Sequence, residues 1–136
     1  QRGCCHLSAV CAACGLGMHG LVQHHRLPGR PEEADGANAG DSRSVLSRSG
    51  KAIALSEDHK PESEVEKTRI AKAGGTISNG RVNGGLNLSR SMGDFFYKRD
   101  KSLAYDEQLI ISKPDVTVVD RSKEDEFIIM GCDGIW

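Results

Sequence analysis

The sequence predicts an α+β fold made mainly of short antiparallel strands with one helix, and three observations lead there. Short runs of apolar and β-branched residues recur between breaks containing Gly, Asn or clustered charge. A single stretch, 62–73, has helical composition, with Pro61 before it and Gly74-Gly75 after it. No run approaches the roughly 20 apolar residues that a membrane helix needs.

Taken in order, residues 15–40 carry eight Gly and Pro and no sustained period, which predicts loop or disorder. Ser44 to Ser47 and Lys51 to Leu55 flank Arg48-Ser49-Gly50 and predict a β-hairpin. Glu62 to Ala73 follows as the helix, and Ser63-x-x-Glu66 suggests a capping box at its start. Its apolar face is thin, Val65 and Ile70 with small Ala residues, so the helix is expected to lie on a surface. Thr76 to Ser78 and Arg81-Val82 surround Asn79-Gly80, a dipeptide suited to a tight hairpin turn. Val116 to Asp120 and Glu126 to Cys132 are the strongest strand candidates, separated by the charged turn Arg121 to Asp125.

Composition excludes some classes of function. The formal charge is −1, from 18 basic and 19 acidic residues among 136. That balance gives no general affinity for nucleic acid or acidic lipid, so neither is expected as a partner. The distribution is uneven: residues 1–31 contain no Asp or Glu but four of the five Cys and four of the five His, and all six aromatics fall after residue 94. Five cysteines, crowded at one end, do not form a disulfide framework, which points to a reduced cytoplasmic or nuclear setting. The uncharged stretch Leu7 to Met18 is too rich in Cys and Gly to read as a signal-peptide core.

Two carboxylates stand where chemistry would place them. Asp133 follows the apolar run Phe127 to Cys132 and precedes Gly134, so a strand delivers an acid to a flexible position. Asp41 follows Gly40 in Asn38-Ala-Gly-Asp-Ser-Arg43. Either suits a hard divalent cation, and either suits an ordinary turn. Arg43, Arg81, Arg90 and Asp94 are read as structural, and so is His59, which has no nucleophile or acid beside it in sequence.

The ordered blocks Ala37 to Arg43, Glu57 to Pro61, Arg69 to Gly75, Arg81 to Gly84, Leu88 to Asp94 with Tyr97-Lys98, Lys113 to Val116, and Cys132 to Trp136 resemble the metal-dependent protein phosphatases of type 2C. The resemblance begins at Ala37. It implies a fragment of a two-sheet antiparallel β-sandwich with flanking helices, occupying 37–136, with a variable flap at about 61–81. It also implies hydrolysis of phosphoserine and phosphothreonine in proteins by a water bridging two Mg²⁺ or Mn²⁺ ions. Asp133 then resembles a ligand of the binuclear centre and Asp41 a ligand of a weaker third metal; no catalytic residue is assigned. The chain is expected to be monomeric.

This sequence departs from the family pattern in ways that bear on activity. The upstream Arg and acidic pair, the Asp-Gly-His-Gly block and the later metal-binding acids do not occur in it. Two carboxylates cannot hold two ions that each need about six oxygen ligands, so these 136 residues alone are expected to be an inactive piece of a longer chain, cut at both ends. A catalytically dead interaction module on the same fold is the alternative, and an upstream Asp-Gly-His-Gly block in a full-length transcript would discriminate. Residues 1–36 are expected to be a separate segment, disordered or translated from a wrong frame. Within them Cys11-x2-Cys14-x4-His19-x4-His24 has the spacing of a zinc knuckle, although no aromatic residue is present to stack a base.

Overall fold

A computed structural model describes residues 8–11, 20–25, 33–132 and 134–136. Its strands are β1 (Ser8–Cys11), β2 (Gly20–His25), β3 (Glu33–Gly40), β4 (Arg43–Arg48), β5 (Lys51–Ala54), β6 (Ile77–Ser78), β7 (Arg81–Val82), β8 (Asp115–Asp120) and β9 (Asp125–Gly131). One α-helix, α1 (Glu64–Lys72), and a short 3-10 turn at Phe95–Lys98 complete the described elements.

The strands form two main sheets and a small hairpin. One sheet runs β1-β9-β4-β5 and the other β2-β3-β8, while β6 pairs with β7. Every pairing is antiparallel except β1 with β9. Leu46, Leu55 and Ile128 form the buried centre of the first sheet, with Ile53 and Met130 against it. Val119 of β8 packs on the same cluster, so the two sheets meet face to face through it. The expected α+β architecture, a fragment of an antiparallel sandwich, is present.

Local sequence explains most of these elements. The β4–β5 turn has Ser49 at φ 49° and Gly50 at φ 70°, the mirror-image geometry that matches the right-handed twist of its strands. β8 and β9 stand where the β-branched and aliphatic runs predict them. They do not pair with each other: the charged turn between them carries the chain from one sheet to the other.

The loop expected over residues 15–40 is corrected by β2 and β3. These strands pair in register from Gly20↔Gly40 to His25↔Asp35, and β3 also pairs with β8 from Glu33↔Asp120 to Asn38↔Asp115. The small and polar residues of β3 have poor strand propensity. As the central strand, however, β3 has its backbone groups bonded along both edges, and that pairing outweighs a weak local preference.

Helix α1 carries acids in its first turn, Glu64 and Glu66, and bases in its last, Arg69 and Lys72, a placement that complements the helix dipole. The capping box does not form. Ser63 occupies the N-cap position but makes no side-chain cap bond, and its hydroxyl donates instead to the Lys60 carbonyl at 3.0 Å. Glu66 is drawn inward by two guanidinium groups and is unable to reach back to the cap. Val65 is 73% exposed whereas Ile70 is fully buried. Ile70 joins Val82 and Ile110 in a second apolar cluster, covered by Ile77, Leu86, Tyr97 and Leu109. Among the described residues no helix is long and apolar enough to cross a membrane.

Candidate functional site

The Asp41 turn is built by two chain segments that grip each other. Gly40 ends β3 at φ 130°, a backbone conformation that side chains with a Cβ rarely adopt. The chain then turns and leaves the Asp41 carboxylate only 5% exposed. The His59 backbone N–H donates to the Gly40 carbonyl at 2.9 Å, and the Gly40 N–H donates to His59 Nδ1 at 3.1 Å. Next in sequence, Lys60 Nζ donates to Asp41 Oδ2 at 2.8 Å. Arg43 binds both oxygens of Asp58, at 3.0 and 2.9 Å, in the forked arrangement that favours Arg over Lys. The Asn38 amide donates to the carbonyls of Glu57, at 2.7 Å, and Gly40, at 3.3 Å. Its buried Oδ1 has no partner among the described residues, a local cost of about 1–3 kcal/mol.

These bonds assign the His59 tautomer. Because Nδ1 accepts from Gly40, the ring proton lies on Nε2, which donates to Asp115 Oδ2 at 3.1 Å. Asp115 Oδ1 accepts from Arg90 Nη1 at 2.7 Å. Arg90 reaches Glu66 Oε1 through Nε at 3.0 Å and Nη2 at 2.7 Å. Arg69 Nη1 donates to Glu66 Oε2 at 2.6 Å, and its other nitrogens bond the Ser89 and Gln108 carbonyls. A continuous charged chain thus runs from helix α1 to the peptide preceding Asp41.

Burial pushes the Glu66 carboxyl up. The hydrogen bonds from Arg90 and Ser89 and the Arg69 charge outweigh it and hold the group below its usual range. Asp115 behaves alike, burial being outweighed by the bonds from Arg90 and His59. With folded-state pKa values below the unfolded ones, the unfolded chain binds more protons in this window. The stabilisation is therefore complete above the ordinary carboxylate range and is lost as pH falls through the folded values. The melting temperature is expected to drop from about pH 5 towards pH 3, and Asp115→Asn should make that drop shallower in thermal melts. An unchanged slope in the variant would count against the linkage.

A cavity of about 260 Å³ opens beside this chain, lined by Arg69, Arg90, Lys113, Asp106 and Asp115 with Val65 and Ile111. Its three cations are all committed, Lys113 to Asp106 at 2.9 Å and the arginines as above, so it does not present free positive charge to an anion.

Of the two expected metal ligands, Asp41 is in the turn described and Asp133 lies outside the described residues. The ends of β4 and β9 nearest them are neighbours, since Arg43 pairs with Gly131. The Arg43 guanidinium also lies 5.7 Å from the centre of the Trp136 ring. Of the zinc-knuckle residues, Cys14 and His19 lie outside the described residues. Among the described residues no group of three or more His, Cys, Asp or Glu could hold a metal ion. A hard divalent ion would find one carboxylate here, already bonded to an ammonium group, so the described residues do not make up a metal site.

Sequence reasoning missed the partners rather than the positions. Lys60, Glu66 and Asp115 have no assigned role in the sequence, yet each lies in or beside one of the ordered blocks. The signal available was that these blocks are rich in charge of both signs. In the folded chain they bond to one another: 57–60 to 38–43, and Arg69, Arg90 and Asp115 through Glu66. His59 and Arg90 have the structural roles expected of them. Asp94, at φ 46°, accepts from Ser91 Oγ at 2.5 Å, while Arg81 donates to the Gly85 carbonyl at 2.7 Å.

Residues 21–136 match the family model described as Protein phosphatase 2C, a range that includes most of β2 and all of β3. The chain is similar to protein phosphatase ppm-1.G of Caenorhabditis elegans, 61% identical over 100 residues, covering 74% of this chain and 20% of the relative. It is similar to human protein phosphatase 1G, 57% identical over 101 residues, covering 74% of this chain and 18% of the relative. The chain thus spans about a fifth of the length of these curated relatives. Among solved structures, a phosphatase from a pathogenic strain of Toxoplasma gondii superposes with a TM-score of 0.73 at 39% identity, over 76% of this chain and 32% of the other.

Proposed function

The chain belongs to the protein phosphatase 2C family, and from that premise we propose that it is part of a protein serine/threonine phosphatase whose complete form hydrolyses phosphoserine and phosphothreonine in proteins. The observation that carries this reading is the unbroken match over residues 21–136, within which the ordered blocks bond to one another in the fold. Residues 37–136 form the partial catalytic domain, with 61–81 as its flap. The family is metal-dependent, and Mg²⁺ or Mn²⁺ is the cofactor of the complete domain, with Asp133 and Asp41 among its ligands. When bound, such ions lower the pKa of a water and offset charge on phosphoryl oxygens. What this chain's own described residues contribute is the holding of Asp41: a buried carboxylate, oriented by His59 and Lys60. The protein acts as a monomer in the cytoplasm or nucleus, on phosphoproteins rather than nucleic acid or membranes.

The 136 residues alone are expected to have no phosphatase activity, because one described carboxylate and Asp133 cannot complete a shell of about six ligands around each of two ions. The check is release of phosphate from a phosphothreonine peptide with saturating Mn²⁺. Turnover above buffer that disappears in Asp133→Ala would overturn the expectation.

A further inference from the structure

The feature that carries furthest is the ion pair between Lys60 and Asp41. We propose that Lys60 is the resident counter-ion of Asp41, so that a divalent metal binds this carboxylate only by exchanging with the lysine ammonium. The proposal rests on the family reading of Asp41 as a ligand and adds a competitor built into the chain.

The geometry separates a fixed backbone from a free side chain. On one side of Lys60, His59 is bonded twice to Gly40. On the other, the Lys60 carbonyl accepts from both the backbone N–H and the hydroxyl of Ser63, at 3.1 and 3.0 Å, and Pro61 is buried. The ammonium reaches a carboxylate that is 5% exposed, yet the Lys60 side chain is itself 44% exposed. A buried carboxylate without a cation is costly, and the tether keeps an ammonium at high effective concentration beside it. A divalent ion arriving at Oδ2 meets a positive charge already there. The exposed stem lets Lys60 withdraw into water, where an ammonium is well solvated. Exchange therefore leaves the carboxylate neutralised in both states, and the lysine weakens metal binding without abolishing it.

The test is a Mn²⁺ titration of the full 136-residue chain, reading free Mn²⁺ by electron paramagnetic resonance. Lys60→Met is expected to bind Mn²⁺ about tenfold more tightly than the parent, a gain lost in Lys60→Met/Asp41→Asn. Equal or weaker binding by Lys60→Met overturns the exchange, and so does the absence of Mn²⁺ binding in every form. Should Asp41→Asn bind Mn²⁺ as well as the parent, Asp41 is not a ligand and the exchange falls with that assignment, while family membership stands. A second measurement needs no variant. Saturating Mg²⁺ should raise acylation of Lys60 by an N-hydroxysuccinimide ester several-fold relative to exposed Lys51, read by mass spectrometry, and an unchanged ratio overturns the proposal.

Discussion

Glu66→Ala is expected to destabilise the chain by about 3–5 kcal/mol, because it removes the carboxylate shared by two guanidinium groups that have little access to water. The side chains of Arg69 and Arg90 are only 11% and 7% exposed, and Glu66 bonds both. Arg90 would keep Asp115 and Arg69 would keep two carbonyls, yet neither would retain a neutralising acid at the centre of the cluster. The loss is a large part of the 5–15 kcal/mol typical of a whole domain. Urea denaturation checks it: the midpoint should fall with little change in slope. Glu66→Gln, which keeps the shape and some hydrogen bonding, should fall between the two. The double variant Glu66→Ala/Arg90→Met should lose less than the sum of the single losses, the mark of a direct interaction. A loss below 1 kcal/mol in Glu66→Ala would show that water reaches these charges.

The second large effect is expected at Ile70, where Ile70→Ala should cost about 2–5 kcal/mol by emptying the centre of the flap cluster. Helix α1 has nine residues and would be marginal on its own in water. Its docking depends on Ile70 packing with Val82 and Ile110, since Val65 faces solvent. Hydrogen exchange should therefore show α1 amides losing protection in the variant while those of β4 and β9 stay protected. Val65→Ala, on the exposed side, should shift stability by no more than about 0.5 kcal/mol. Equal loss of protection in α1 and in the sheet would mean that the two clusters unfold as one unit.

Much of the fold is legible in local sequence because the strands that build the first sheet carry their own signals. Ser49-Gly50 and Asn79-Gly80 mark hairpin turns, and the runs around Val118 and Ile128 mark strands. β3 is not legible this way. Glu33 to Gly40 has almost no side-chain preference for a strand, and only the partners on its two edges, one more than 70 residues downstream, make it one. The site divides along the same line. Asp41 stands out in sequence because a glycine precedes it and an ordered block surrounds it. Its ion pair with Lys60 joins residues 19 positions apart and leaves no periodic trace. Glu66 fits a capping box by spacing, and only the arrival of Arg90, 24 positions on, turns it inward.

The division of strands between the two sheets also has a kinetic consequence. β3 and β4 find their partners in β8 and β9, so residues 55–114 are an excursion between the two halves of both sheets. Neither sheet can close until that excursion brings its ends together, which places the entropy of a long loop ahead of the contacts that reward it. The β4–β5 and β6–β7 hairpins are local and can form in microseconds. The rate-limiting event is then the meeting of β4 with β9. Changes confined to α1 would act mainly on the rate of unfolding, and changes at Leu46 or Ile128 on the rate of folding.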